Sequence, residues 1–129
     1  MSTTLKHILC VDDESDILEI AKMSLEMVGN FEVHTCTSGK EALAYVENTK
    51  PDLILMDVMM PEMNGPSTLE ALRKNGASSI PVVFMTAKVQ SNEVAEFIKC
   101  GAIGVIPKPF DPMTLPQDVQ KQWESANAG

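Results

Sequence analysis

The sequence predicts an α/β fold, a doubly wound parallel sheet with helices on both faces. Five short apolar runs of strand length alternate with longer segments of helical period, which is the pattern of consecutive β-α units. The third and fourth runs are apolar almost throughout, as strands buried from both sides are. With 129 residues, 44% of them apolar, the chain is long enough for one domain with a substantial core and too short for two.

Five runs are predicted as strands, each bounded by turn residues or by the start of a helical pattern. The first ends in Asp12 and Asp13, and the third is apolar until its last residue, Asp57. Pro81 stands at the beginning of the fourth run, where a missing backbone donor costs little. The predicted strands are residues 7–11, 31–36, 52–57, 80–86 and 103–106.

The first two helices are predicted by apolar spacing and by their end signals. Four apolar residues recur at helical spacing before a stop at residues 29–30: Ile17, Ala21, Leu25 and Val28. In the second helix, Ser38 and Glu41 form an S-x-x-E capping box, in which each side chain accepts a hydrogen bond from the other residue's backbone.

The third and fourth helices are identified by Leu69 and Leu72, then by Val94, Phe97 and Ile98. Pro66 suits the first position of the third helix, and Gly101 ends the fourth. The fifth helix is predicted over residues 111–123, with an irregular first turn because Pro116 lacks a backbone donor.

Right-handed crossovers between parallel strands leave two common doubly wound strand orders. Five strands favour the flavodoxin-like order 2-1-3-4-5. We therefore expect residues 1–129 to form a single domain with a core from about residue 5 to about residue 125. In this order strands 1 and 3 are neighbours at the topological switch point, where open α/β sheets bind ligands beyond the carboxyl ends of their strands.

The composition disfavours several functions. A formal net charge of -8 argues against direct binding of nucleic acid, whose phosphates attract lysine and arginine surfaces. The N-terminal residues do not form a secretory leader, and no apolar stretch approaches the roughly 20 residues that span a bilayer, so we expect a cytoplasmic protein without membrane contact. The three cysteines are expected to be small core residues in a reducing compartment: Cys10, Cys36 and Cys100.

Polar residues converge on one edge of the predicted sheet. Asp12 and Asp13 follow strand 1, Asp57 ends strand 3, Thr86 ends strand 4 and Lys108 follows strand 5. Taken singly, each has an ordinary structural interpretation, such as a helix N-cap, a turn or a solvated lysine. Together, three carboxylates repel one another strongly unless a cation intervenes, and Mg²⁺ binds such oxygen ligands.

This set of groups favours phosphoryl transfer, in which catalysis consists mainly of positioning and charge neutralisation. A carboxylate can be the nucleophile, and Asp57 is the best candidate because it lies on the more central strand. The sequence contains no Ser-His-Asp arrangement, no GxxxxGK[ST] loop and no GxGxxG motif, so nucleotide and serine-hydrolase chemistries are unsupported.

Four segments, in order and properly spaced, resemble the receiver domain of two-component response regulators: ILCVDDES, DLILMDVMMPEMNG, PVVFMTA and VIPKPFDP. The resemblance covers nearly the whole chain and implies a single receiver domain over residues 1–129, stand-alone like the chemotaxis regulators. It implies that Asp57 is the phosphoacceptor. It also implies a bound Mg²⁺ or Mn²⁺, with Asp13, Asp57 and the backbone carbonyl of Met59 as direct ligands and Asp12 holding the metal through water.

The resemblance further implies that Thr86 and Lys108 bond phosphoryl oxygens, and that the Lys108–Pro109 peptide is cis. In the family, an aromatic residue on strand 5 turns inward when the threonine moves. The matching residue here is Val105, so we expect the switch to use the loop of residues 87–91 instead, including Ala87 and Lys88, with Val105 changing its packing.

By the same resemblance, the phosphoryl group comes from a histidine kinase or a histidine phosphotransfer protein, and output passes to a downstream protein through helix 4, strand 5 and helix 5. The chain would catalyse only its own phosphorylation and slow autodephosphorylation. Three alternatives stay open: a haloacid-dehalogenase-like phosphatase, a protein-binding module that is never phosphorylated, and a receiver excised from a longer regulator.

Overall fold

The computed structural model describes residues 4–75, 79–87 and 90–128. Within them, five parallel strands form one sheet in the order β2-β1-β3-β4-β5, which confirms the predicted flavodoxin-like topology. The strands are β1 His7–Val11, β2 Glu32–Cys36, β3 Leu53–Asp57, β4 Val82–Thr86 and β5 Gly104–Pro107. The helices are α1 Ser15–Met23, α2 Gly39–Asn48, α3 Gly65–Lys74, α4 Ser91–Lys99 and α5 Leu115–Ala128.

The sheet separates two apolar cores. One contains side chains of α2, α3 and the facing side of the sheet, with Leu69 and Leu72 buried as predicted. The other packs α1 and α5 against the opposite side and includes Trp123. β3 and β4 contribute to both cores and are buried along their whole length, because helices cover both of their faces. In the described part of the chain, no helix is long and apolar enough to cross a membrane.

The end of α1 differs from the prediction. Ala21 and Leu25 are buried as expected, but Val28 is 44% exposed. The helix continues through a π-helical turn, Ser24–Val28, in which Gly29 donates to the Ser24 carbonyl five residues earlier. A π-helical turn holds more residues than an α-helical one, so the apolar spacing that predicted an inward Val28 no longer applies.

Caps begin the second and third helices. The Ser38 hydroxyl accepts from the Glu41 N–H as predicted, whereas the Glu41 carboxylate accepts from the N–H of Thr37, one residue before the expected donor. At α3, the Asn64 side chain accepts from the Ser67 N–H, and a proline follows in the first turn. Both caps lie at the edge of the sheet where the strands end.

The last two helices begin and pack differently from the expectation. α4 contains no buried residue, and its predicted inward residue Ile98 is 44% exposed. Regular α5 begins at Leu115, four residues later than predicted, because Asp111 forms a turn that accepts from Met113, Thr114 and Leu115. The irregular entry into this helix was expected. The helix then extends beyond the predicted end.

The cysteine prediction was correct for two of the three residues. Cys10 and Cys36 are buried, and burial raises the pKa of their thiols to about 12 and about 11. Cys100 is exposed, contrary to the prediction. It follows the last residue of α4, and Gly101, whose φ of 114° is accessible mainly to glycine, turns the chain away there.

A close contact joins α5 to β5. The Gln122 side-chain nitrogen donates to the Val105 carbonyl over 3.0 Å. Its carboxamide lies over Gly104, where a Cβ would be 1.9 Å from the Gln122 Oε1. That oxygen is buried and has no hydrogen-bond partner among the described residues, so the contact combines one hydrogen bond with one unsatisfied acceptor. A glycine at position 104 is therefore required for this packing.

We expect a thiol reagent at pH 8 to modify one cysteine quickly and two only after unfolding. The buried thiols are inaccessible and almost entirely protonated at that pH, and the thiolate is the reactive form. Absorbance after mixing with a disulfide reagent, with and without guanidinium, measures both phases. Cys100→Ser should remove the fast phase alone. A fast phase of more than one equivalent would contradict the burial of Cys10 and Cys36.

We expect Gly104→Ala to lower the free energy of unfolding by about 1–3 kcal/mol, because the new methyl group displaces the Gln122 carboxamide from Val105. Urea unfolding of both single variants and the double variant with Gln122→Ala measures the coupling. Gly104→Ala should lower the free energy of unfolding by at least about 0.5 kcal/mol less in the Gln122→Ala background than in the wild type. Strict additivity would show that the two residues do not conflict.

Candidate functional site

The parallel sheet brings the ends of four segments to one edge. In the strand register, Asp57 is the partner of Met85, so Thr86 lies one residue further along the neighbouring strand. The Lys108 N–H donates to the Thr86 carbonyl over 2.9 Å, which joins the end of β5 to the end of β4. Asp12 follows β1 directly, and its N–H donates to the Cys36 carbonyl at the end of β2. Backbone pairing alone therefore sets most of the site's spacing.

Three carboxylates form the centre of the site. Oxygens of Asp12, Asp13 and Asp57 lie within 4.8 Å of one another. Asp12 is fully buried, Asp57 is 4% exposed and Asp13 is exposed, so the cluster opens to solvent on one side. The convergence predicted from the strand ends is thus present for these three residues.

Lys108 is the counter-ion of this cluster. Its Nζ lies 3.0 Å from Asp12 Oδ2 and 3.3 Å from Asp57 Oδ1. Its side chain is only 15% exposed, so both ion pairs are shielded from bulk water more than surface pairs are. A third carboxylate, Glu14 Oε1, lies 3.6 Å from the same nitrogen. Sequence reasoning did not select Glu14, although its place directly after the acid pair was a usable signal.

Burial and charge shift the ionisation of the site. Burial, and then the neighbouring Asp12 carboxylate, raise the pKa of Asp57 to about 6, against the opposing effects of Lys108 and the Met59 N–H. Burial alone would lower the pKa of Lys108, but the hydrogen bond and charge of Asp12, with those of Asp57, raise it. Lys108 therefore stays protonated and charged. Asp57, by contrast, takes up a proton at a higher pH than an ordinary aspartate does.

Asp12 is held at both oxygens. Oδ1 accepts from the Glu14 N–H over 2.9 Å, and Oδ2 accepts from Lys108 over 3.0 Å. This turn places the backbone after β1 so that α1 begins at Ser15. Asp12 is thereby held in the buried part of the site, while the neighbouring Asp13 is exposed and still reaches the cluster with its carboxylate.

The loop after β3 passes close to the Asp57 backbone. The Gly65 N–H donates to the Val58 carbonyl over 2.9 Å. A Cβ at Gly65 would lie 2.8 Å from the Asp57 carbonyl oxygen, and that backbone atom cannot move aside. Met59 is 69% exposed beside the site. On the opposite side, the peptide bond between Lys108 and Pro109 is cis.

A small groove extends from the site toward α4. Its volume is about 290 Å³, and its lining includes Val58, Met59, Thr86 and Phe97. Phe97 packs edge-to-face on the buried Phe84, with ring centroids 5.4 Å apart. The groove was not predicted from the sequence, because strand-end patterns carry no information about where a helix side chain leaves space.

The structure describes two of the three residues that are expected to act in switching. Ala87 is exposed directly after Thr86, and Val105 is half-buried three residues before Lys108. Thr86 itself is buried, with 4% exposure. Lys88 lies outside the described residues.

The donor set of the site fits a hard divalent cation. All three clustered side chains offer carboxylate oxygens, and no histidine or cysteine takes part among the described residues. Mg²⁺ prefers such oxygens and is commonly bound by one or two carboxylates with retained water, which the open side of the cluster permits. Lys108 supplies one positive charge against four carboxylates, the three of the cluster and that of Glu14, so a further cation would lower their repulsion.

Known proteins resemble this chain in sequence and in fold. The family model described as "Response regulator receiver domain" matches residues 8–120. The response regulator SaeR of Staphylococcus aureus is 37% identical over 111 residues, which are 86% of this chain and 47% of that protein. The solved chemotaxis response regulator CheY4 of Vibrio cholerae is 32% identical, with a TM-score of 0.84, covering 92% of this chain and 99% of that one.

A CheY-like receiver domain protein from Methanospirillum hungatei is also similar, with 29% identity and a TM-score of 0.82 over 98% of this chain and 100% of that one. The chain spans about half the length of the curated relatives it matches. The match to the family model extends over most of the sequence and includes all five strands except the first residue of β1. The chain belongs to the response regulator receiver domain family.

Proposed function

We propose that Asp57 of this chain accepts a phosphoryl group, and that the resulting aspartyl phosphate is the signal. The observation that carries the proposal is the position of Lys108 between Asp12 and Asp57 at the ends of the central strands. The Asp13 carboxylate lies in the same cluster. A phosphoryl group needs a nucleophile, a cationic partner and an open side for entry, and this edge offers all three. The family's role in two-component signalling agrees with this chemistry.

The proposed donor is a phosphohistidine on a histidine kinase or histidine phosphotransfer protein. An Asp57 carboxylate oxygen attacks phosphorus, and the phosphorus–nitrogen bond breaks with its electron pair going to the imidazole nitrogen. The new bond is an acyl phosphate. Asp57 must be ionised to attack, so a pKa raised to about 6 still leaves most of the population reactive at neutral pH.

Asp13, Asp57 and the Met59 backbone carbonyl are the proposed direct ligands of Mg²⁺ or Mn²⁺, with Asp12 holding the metal through water. The cation, when bound, neutralises charge on the phosphoryl oxygens. The protein groups prepare this arrangement themselves: Asp12 is fixed by the Glu14 N–H, and the Asp57 carboxylate accepts from the Met59 N–H.

Lys108 and Thr86 are proposed to bond two of the phosphoryl oxygens. The Lys108 ammonium already lies 3.3 Å from Asp57, so it needs only a small movement to reach a group attached there. Thr86 is buried at the end of the adjacent strand, and its hydroxyl can donate to an oxygen in the site. The hydrogen bond from the Lys108 N–H to the Thr86 carbonyl links the two residues, so a displacement of one backbone segment would move the other.

Output is proposed to pass through α4, β5 and α5 to a downstream protein. The switch would involve movement of Ala87 and Lys88 after Thr86, with repacking of Val105. α4 is the natural element to move, because none of its residues is fully buried. Charged side chains are exposed on these elements, including Glu96, Lys99 and Lys121.

The chain is proposed to catalyse only its own phosphorylation and slow autodephosphorylation; the family itself consists of signalling switches. We also propose that residues 1–129 contain a single receiver domain with a core from about residue 5 to about residue 125. The family match over residues 8–120 supports those limits.

Incubation with acetyl phosphate and Mg²⁺ should add one phosphoryl group to the wild-type chain and none to Asp57→Asn, because the amide cannot act as the nucleophile. Intact-mass spectrometry measures the adduct, and hydroxylamine should remove it, since acyl phosphates are cleaved by that reagent. Asp52→Asn is the matched control, because Asp52 lies at the opposite end of β3. Equal labelling of Asp57→Asn, or steady turnover of many phosphomonoesters, would reject the proposal.

Replacing Lys108 with Met should tighten Mg²⁺ binding about three- to tenfold, because the ammonium competes with the metal for the same carboxylates. Isothermal titration calorimetry at fixed ionic strength measures the dissociation constant. Lys74→Met, an equal change of charge at the end of α3, should leave it unchanged. The Lys108 variant should still gain the adduct. Unchanged or weaker Mg²⁺ binding would contradict the competition.

A further inference from the structure

Glu14 has a contact that its position in the helix does not require. It occupies the N-cap position of α1, but its side chain makes no capping hydrogen bond. The side chain is 63% exposed and extends instead to Lys108, 3.6 Å away. The side chain of a residue that serves only to start a helix would accept a hydrogen bond from an N–H group of the first turn. The carboxylate of Glu14 is therefore available to act at the mouth of the site.

The distances place this charge close to the acceptor. Lys108 Nζ lies 3.6 Å from Glu14 Oε1 and 3.3 Å from Asp57 Oδ1, so the two carboxylate oxygens can be no further apart than those two distances together. Unlike Asp12 and Asp57, Glu14 is largely in solvent, on the side from which a phosphodonor must enter. Exposed Asp13 and Asp16 lie on the same turn and add charge of the same sign.

We propose that Glu14 determines which phosphodonors this receiver uses, by disfavouring small free anions and favouring phosphohistidine flanked by cationic side chains. The inference rests on the proposed function of Asp57. A free dianionic donor is repelled by the Glu14 carboxylate and carries no positive charge that would offset the repulsion. A protein donor with a lysine or arginine beside its phosphohistidine brings a partner for Glu14 at the moment when Lys108 turns from Glu14 to the phosphoryl group.

The expected size follows from Coulomb's law. A unit charge about 7 Å from a dianion in water-like surroundings, partly screened by salt, changes the rate of approach about two- to sevenfold. With acetyl phosphate, an Asp57 oxygen bonds to phosphorus, the bond from phosphorus to the acetyl oxygen breaks, and acetate leaves with the electron pair. Glu14 takes no part in these bonds and alters only the energy of the approaching charge.

The test compares Glu14→Gln and Glu14→Lys with Glu47→Gln, which makes the same charge change as the first variant near the far end of α2. Initial phosphorylation rates are measured by intact mass with acetyl phosphate and with the less negative phosphoramidate, at low and high salt. Glu14→Gln should be about two- to sevenfold faster with acetyl phosphate, and Glu14→Lys faster by that factor again. The gain should be smaller for phosphoramidate and should shrink with salt. Glu47→Gln should match the wild type.

A second arm uses two phosphohistidine peptides that differ only in carrying lysines or serines beside the phosphohistidine. The wild type should prefer the lysine peptide, and Glu14→Lys should lose that preference. The proposal is overturned if Glu14→Gln is no faster than Glu47→Gln, if both small donors gain equally, or if the peptide preference survives in Glu14→Lys. Absence of any Asp57-dependent adduct in the wild type would instead reject the function of Asp57, so the two failures are distinguishable.

Discussion

The ion pairs of Lys108 are the interaction on which the rest of the site depends. Two carboxylates that are almost fully buried, Asp12 and Asp57, would repel each other strongly in a low-dielectric setting. A single ammonium within 3.3 Å of both keeps them together. Burial first, and then the Asp12 charge, still raise the pKa of Asp57 to about 6, so the cluster favours a bound cation or a proton. The same ion pairs therefore hold the carboxylates in place and leave them with a net negative charge that attracts a cation.

The parallel sheet makes this balance possible. Every strand ends at the same edge, and the backbone there is paired from one segment to the next, as in the bond from Lys108 to Thr86. Gly65 lets the following loop pass against the Asp57 backbone, where any side chain would collide. The site is thus held by rigid elements on its buried side, while exposed residues surround its open side: Asp13, Glu14 and Met59.

The proposed output surface, formed by α4, β5 and α5, is built differently from the site. α4 covers the sheet through half-buried side chains alone, and Phe97 contacts Phe84 beside a groove that reaches Thr86. α5 is tied more firmly, through its buried apolar face and through Gln122 at Val105. A movement at Thr86 therefore meets a firmly packed helix on one side and a loosely packed one on the other. This difference in packing is the reason for proposing α4 as the element that responds, in a chain with no aromatic ring at position 105.

The sequence by itself determined the fold and most of the site, because alternating strand and helix patterns and residues at strand ends are local signals. The strand order and the convergence of Asp12, Asp13, Asp57 and Lys108 followed from them. Only the tertiary structure decided how side chains meet across elements: the π-helical turn that exposes Val28, the exposed Cys100, and the reach of Glu14 to Lys108. The first two follow from backbone geometry at the ends of helices, and the third joins segments far apart in the chain; none of these is recorded in a pattern of apolar spacing.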